Sequence, residues 1–183
     1  MLYWFKKYFA IAVIFALFGN IALGHEGKGV PKKELKMLFP KATSFVAKPI
    51  NLNDEQHEEI EKALHLELGD ERKSTAYIAV TGNKSLGMAW LTHATTPTKE
   101  IDVGVAVNSS GSVLKVALLD ETDKSLNNPA FLQQFVKKDH ESKFTGIKLP
   151  KGKEKEANAI VLAVRKALSV LDTVIPHTEK TTY

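Results

Sequence analysis

Ile101-Asp102-Val103-Gly104-Val105-Ala106-Val107-Asn108-Ser109-Ser110-Gly111-Ser112-Val113-Leu114-Lys115-Val116-Ala117-Leu118-Leu119 is the stretch on which the fold turns. Two runs rich in Val, Ile and Leu are separated by Asn, Ser and Gly, the residue types that accept the backbone of a tight turn. Apolar runs of this length bounded by such a turn predict two antiparallel strands. The Ser109-Ser110-Gly111-Ser112 segment reads as a turn and not as a phosphate-binding loop, because a strand follows it where such a loop needs a helix.

The same pattern extends upstream. Tyr77-Ile78-Ala79-Val80, then Gly82-Asn83, then Leu86-Gly87-Met88-Ala89-Trp90-Leu91 predicts a hairpin, and Pro97 falls in the connection to the strand at Ile101. Residues 42–48 predict an earlier strand with Phe45 and Val46 to bury. Together these make a meander.

Helical spacing fills the gaps. Residues 32–38 predict a short helix with Leu35 and Leu38 on one side. Asn53 or Asp54 can cap a helix whose Asp54, Glu55, Glu58 and Glu59 suit its positive end. Ile60, Ala63 and Leu64 give that helix an apolar stripe, and Gly69 is its stop signal. Asn128-Pro129 opens another helix, carrying Phe131, Leu132 and Phe135. Residues 148–155 read as a polar loop. Residues 157–171 form the last helix through Ile160, Val161, Val164, Leu168 and Leu171, and Pro176 ends it. The expected fold class is α+β: an antiparallel meander with helices packed on one face.

The N-terminus carries a different signal. Lys6 and Lys7 precede an apolar run from Phe9 to Phe18, followed by Asn20 and the small-residue pattern Ala22-Leu23-Gly24. Basic, apolar and small residues in that order are what a signal peptidase reads. The run is shorter than the roughly 20 residues of a spanning helix, so cleavage after Gly24 is expected rather than retention as an anchor. The expected organisation is a signal peptide over 1–24, a flexible segment with the short helix over 25–38, a domain over 39–175 and a tail over 176–183. No later segment is apolar enough to span a membrane, and the expected location is periplasmic or otherwise extracytoplasmic. The chain has no Cys, which excludes a structural disulfide and a lipid-anchored mature end.

The 183 residues include 25 basic and 21 acidic side chains, net +4, of which the leader contributes Lys6 and Lys7. The remaining excess is too small to argue for nucleic-acid binding. His57 and His65 stand two helical turns apart, too far for one metal ion without other ligands, and are expected on a solvated face. Asp120, Glu121 and Asp123 form an acidic loop with no nucleophile motif beside it, so no catalytic residue is assigned. Trp90 and Tyr77 are expected in the core.

Phe39-Pro40-Lys41-Ala42, the acidic helix from Asn53, the strands around Gly87 and the stretch from Ile101 to Glu121 resemble the FMN-binding domain family. Phe131-Leu132-Gln133-Gln134-Phe135 resembles that family's Phe-x-x-Gln-Phe helix, and Val164-Arg165-Lys166-Ala167-Leu168 its closing helix. The resemblance spans nearly all of the chain after the leader. It implies an extracytoplasmic flavoprotein domain that passes electrons, with redox partner proteins or a membrane respiratory complex as partners. The flavin would do the chemistry while the protein sets position and potential.

The family's hydroxyl-bearing motif before the last helix falls here on Lys148-Leu149-Pro150-Lys151-Gly152-Lys153-Glu154, where only Gly152 matches. Glu154 stands where the family has the hydroxyl that carries FMN, and a carboxylate cannot form that phosphoester. Flavin, if held, is therefore expected to be non-covalent, with Lys151, Gly152 and Lys153 presenting positive charge and a helix N-terminus to its phosphate. Glu121 and Thr122 of the acidic loop, and Thr95 and Thr96, complete the expected cofactor-binding set. The alternative expectation is the same fold without flavin, kept as an interaction module of an extracytoplasmic assembly. On either reading the chain is an accessory protein and not a stand-alone enzyme.

Overall fold

The computed structural model describes residues 30–175, apart from 67, 69–71 and 97. The expected leader, the Gly69 stop, Pro97 and the tail from Pro176 lie outside the described residues. In chain order the elements are α1 (Lys32–Leu38), β1 (Ser44–Asn51), α2 (Asp54–Leu64), β2 (Lys73–Thr81), β3 (Lys84–Thr95), β4 (Glu100–Val107), β5 (Val113–Leu118), α3 (Pro129–Leu132) and α4 (Glu154–Asp172). A 3-10 turn at Gln133–Phe135 continues α3.

The sheet has the order β1-β2-β3-β4-β5, every neighbour antiparallel, so the α+β meander is the architecture observed. Alternation along the strands sorts the side chains by face. Ile50, Ala76, Trp90, Val103, Val105, Val116 and Leu118 point to one face, where Ile60 and Leu64 of α2, Phe131 and Phe135 around α3, and the apolar stripe of α4 close over them. The segments α2, α3 with its 3-10 turn, and α4 are thus packed on one face, while α1 lies on the other. Trp90 is core, 3% exposed, as expected.

The other face carries small residues. Ala79, Ala89, Ala106 and Ala117 are buried there, joined by Leu35 and Leu38 of α1 and by Phe39. Their register forms a band across the sheet, Ala79 opposite Gly87, Ala89 opposite Ala106 and Gly104 opposite Ala117. With no bulk on those positions, α1 lies directly on β4 and β5. A Cβ on Gly104 would stand 2.9 Å from a Leu38 methyl. Leu35 is 0% exposed, so the short helix belongs to the packed domain.

Local chemistry sets the helix ends. Asn53 Oδ1 accepts the Gln56 N–H at 2.8 Å and Gln56 Oε1 accepts the Asn53 N–H at 3.1 Å, a complete capping box. The helix α2 ends before the expected Gly69: His65 takes a left-handed conformation, φ 54°, and its N–H reaches Glu61 O. His57 is not on a solvated face. It is buried at 6% exposure, with Nδ1 3.6 Å from Glu61 Oε2, while Glu61 Oε1 accepts the Leu68 N–H. Val46 also departs from expectation at 45% exposed, because β1 is the outer strand of the sheet.

Gly87 is the tightest point of the sheet. Its φ is +139°, beside a register shift between Ala79 and Val80, and a Cβ there would stand 2.2 Å from Val107 O. No L side chain fits without moving backbone. Gly87→Ala is expected to destabilise the fold by roughly 3 kcal/mol or more. Gly82→Ala, at a turn with φ +54° and open space around it, is expected to cost only about 1 kcal/mol. Equal urea midpoints for the two variants would refute this account of Gly87.

Candidate functional site

Three loops meet beside the N-terminus of α4: residues 96–99 after β3, residues 119–127 after β5, and residues 150–154 before α4. The first is fixed by Thr96, which is buried. Its hydroxyl donates to Lys99 O at 2.7 Å and accepts the Lys99 N–H at 3.1 Å, closing a tight turn that sets where Lys99 starts. Lys99 Nζ then lies 2.6 Å from Glu121 Oε2, whose side chain is 1% exposed. The second Glu121 oxygen accepts the Asp123 N–H at 2.8 Å. Asp123 in turn accepts the Ser125 N–H through Oδ1 and lies 2.9 Å from Lys153 Nζ through Oδ2. A continuous chain of charges therefore runs Lys99, Glu121, Asp123, Lys153 and ties the three loops together.

Burial pushes the Glu121 carboxyl up. The Lys99 hydrogen bond, the Asp123 N–H and the Lys99 charge outweigh that and hold it below its ordinary value. The hydrogen bond from Lys153, with the Ser125 N–H, pulls the Asp123 carboxyl down to about 2, and the same pairing raises Lys153. Glu121 and Asp123 are ionised at neutral pH, and each carboxylate is matched by a lysine of the cluster.

Of the residues expected to hold a cofactor, Thr96, Glu121, Lys153 and Gly152 lie in these converging loops. Thr95 is exposed at the end of β3, and Thr122 and Lys151 are exposed on the loop surfaces. Lys99 is the member that sequence reasoning missed. Its signal was a Thr-Pro-Thr-Lys turn immediately before a strand, which places a cation at a sheet end.

The residues before α4 do not offer a phosphate what the sequence suggested. Gly152 has φ +76°, the backbone freedom such a loop needs, but its N–H is donated to Glu154 Oε1 at 2.9 Å. Contacts with the Gly152 N–H and its own N–H hold the Glu154 carboxyl below its ordinary value, so it stays ionised at the helix start. Glu154 thus occupies the anion position at the N-terminus of α4, and Lys153 is turned to Asp123. A phosphate here would have to displace one carboxylate and compete with another, so as folded the loop does not fit one. Among the described residues no group of three His, Asp or Glu is placed to hold a metal ion, and no helix is long and apolar enough to cross a membrane. Compared with known proteins, the chain matches no family model and no curated sequence.

The charge chain has a testable pH signature. Asp123 is held at about 2 against an ordinary 3.8, so its clasp on Lys153 is present above that ordinary value and is lost as pH falls through about 2. Carbon-detected NMR titration should show the Asp123 carboxyl still ionised at pH 3. In Lys153→Ala the same carboxyl should titrate higher, toward 3.8. A wild-type Asp123 that titrates at the ordinary value would remove the clasp from this description.

Proposed function

We propose that this chain is an exported accessory protein of an extracytoplasmic electron-transfer assembly, an FMN-binding-like domain that carries no covalent flavin and serves as an interaction module. The observation that carries the flavin-free part is Glu154. It stands at the position of the family's flavin-bearing hydroxyl, and its carboxylate accepts the Gly152 N–H that a phosphate would need. The signal-like N-terminus supports export, and the order of elements supports the family reading. The chain's own residues then do structural work: Lys99, Glu121, Asp123 and Lys153 hold three loops in one arrangement and present a fixed polar surface at the sheet end.

A second reading, non-covalent FMN, is favoured by one specific observation. Thr96, Glu121 and Lys153 are far apart in sequence yet are joined through Lys99 and Asp123 into one cluster. Under that reading the flavin phosphate would take the place of the Glu154 carboxylate, with Lys153 released from Asp123 to meet it.

Absorbance and flavin titration separate the two. The exported protein is expected to purify colourless and to leave the fluorescence of added micromolar FMN unquenched. A flavin band released by acid would replace the interaction-module reading with the non-covalent one, and a band that stays with the precipitated protein would overturn both. If the second reading holds, Glu154→Ala should bind FMN more tightly than wild type, by about tenfold for removal of a competing charge-assisted hydrogen bond.

A further inference from the structure

The sheet is not continuous along its length. The β2 strand is paired to β1 from Ser44↔Val80 to Asn51↔Lys73, and β3 is paired to β4 as far as Thr95↔Glu100. Between themselves β2 and β3 are paired only from Ala76↔Trp90 to Thr81↔Lys84. Past Ala76 and Trp90 the two strands part, so that residues 73–75 and residues 91–93 face each other across a fork inside the sheet. A cavity of about 300 Å³ occupies it, lined by Ser74, Thr75 and Tyr77 on one side and residues 90–93 on the other.

Strand segments that face each other without pairing leave backbone N–H and C=O groups in need of partners. The side chains add to that demand. Thr92 is 8% exposed, and its Oγ1, like the Oγ of Ser74, is buried with no hydrogen-bond partner among the described residues. A buried hydroxyl left unpaired costs free energy that a ligand able to both donate and accept would recover.

We propose that this fork is a binding site for an uncharged, extended peptide segment whose main chain completes the sheet between the open ends of β2 and β3. Peptide main chain carries an N–H and a C=O at each residue, the pattern that free strand edges accept in strand addition. The lining contains no carboxylate, Lys or Arg; its titratable side chains are Tyr77, whose phenol burial raises above its ordinary value, and His93, whose Nε2 lies 3.9 Å from Glu100 Oε1. A charged segment would enter without a counter-charge in the lining. The length fits two or three residues, since a strand advances about 3.3 Å per residue and the part of β2 not paired to β3 is residues 73–75. On the helix-covered face Trp90 is 3% exposed, with Lys166 Nζ 5.9 Å from its ring centre. This extends the interaction-module reading by naming a partner class. It rests on the strand geometry and the two unpaired hydroxyls, so its failure leaves the flavin result untouched.

The test uses the full chain, ¹⁵N-labelled, titrated with acetyl-Ala-Ala-Ala-amide and followed by amide NMR. Saturable shifts confined to residues 73–77 and 90–93 are expected, with no such shifts for the same peptide methylated on its amide nitrogens. Thr92→Val should weaken binding about fivefold, the value of one lost hydrogen bond, while Thr92→Ser should bind as wild type; the pair controls for misfolding. No saturable shift overturns the proposal, because the hydroxyls and strand edges are then served by water. Equal binding of the methylated peptide also overturns it, because the fork then takes apolar groups and not main chain. Unchanged binding in Thr92→Val together with Ser74→Ala does the same.

Discussion

The band of small residues across one face of the sheet is the constraint on which the rest of this structure depends. Ala79, Gly87, Ala89, Gly104, Ala106 and Ala117 leave a band of that face without bulk, between larger side chains such as Tyr77 and Leu91. A helix can then approach the strands closely, and α1 does so with Leu38 in contact with the space above Gly104. Because this face contributes little apolar volume, the bulk of the core must lie on the other. There Val103, Val105, Leu118 and Trp90 meet α2, α3 and α4. One face is thus closed by proximity and the other by volume. Enlarging any of the small residues forces a choice between losing α1 and bending the sheet, which is why interiors at native density resist such changes.

The same architecture places the loop cluster. With α4 fixed over β3 and β4, its N-terminus arrives at the sheet end where the β3–β4 turn and the β5–α3 loop also emerge. Three loops of mixed charge brought together at such a point would repel or flutter without partners. The chain Lys99, Glu121, Asp123, Lys153 gives each charge an opposite neighbour, and Glu121 is buried in the process. A buried carboxylate is costly unless it is fully bonded, and both Glu121 oxygens are. The cluster therefore buys one defined loop arrangement more than it adds stability.

The strands and the long helices were legible in the sequence because each is a local pattern: alternation or a 3.6-residue stripe between turn residues. The meander followed from short connections. What was not legible came from contacts between distant residues. His57 looks like any polar residue of an acidic helix, yet it is buried beside Glu61, whose other oxygen holds the Leu68 N–H. His65 ends α2 in a left-handed conformation that its sequence position does not announce, ahead of the glycine that looked like the stop. Within the site, Thr96, Glu121 and Lys153 were each visible as polar residues beside a resemblance. Lys99, which links the first two, was not, since its role exists only once the β3–β4 turn faces the β5 loop. The meaning of Glu154 changed in the same way. In sequence it was expected at the place of the resembled family's hydroxyl; in three dimensions it is a carboxylate that accepts the Gly152 N–H.

The fork between β2 and β3 has a cause in the same constraints. From Met88 to Trp90, β3 is paired on both sides, to β2 and to β4. Past Trp90 the inward positions are Thr92 and Ala94 on β3 and Ser74 on β2. At that point β2 follows β1 and β3 follows β4, each keeping its outer partner, and the right-handed twist of the two strand pairs carries them apart. The opening presents the unpaired hydroxyls of Ser74 and Thr92 beside Tyr77, Trp90 and Leu91. That makes the fork a place for a polar, hydrogen-bonding occupant, and it separates the fork chemically from the carboxylate-rich cluster at the N-terminus of α4.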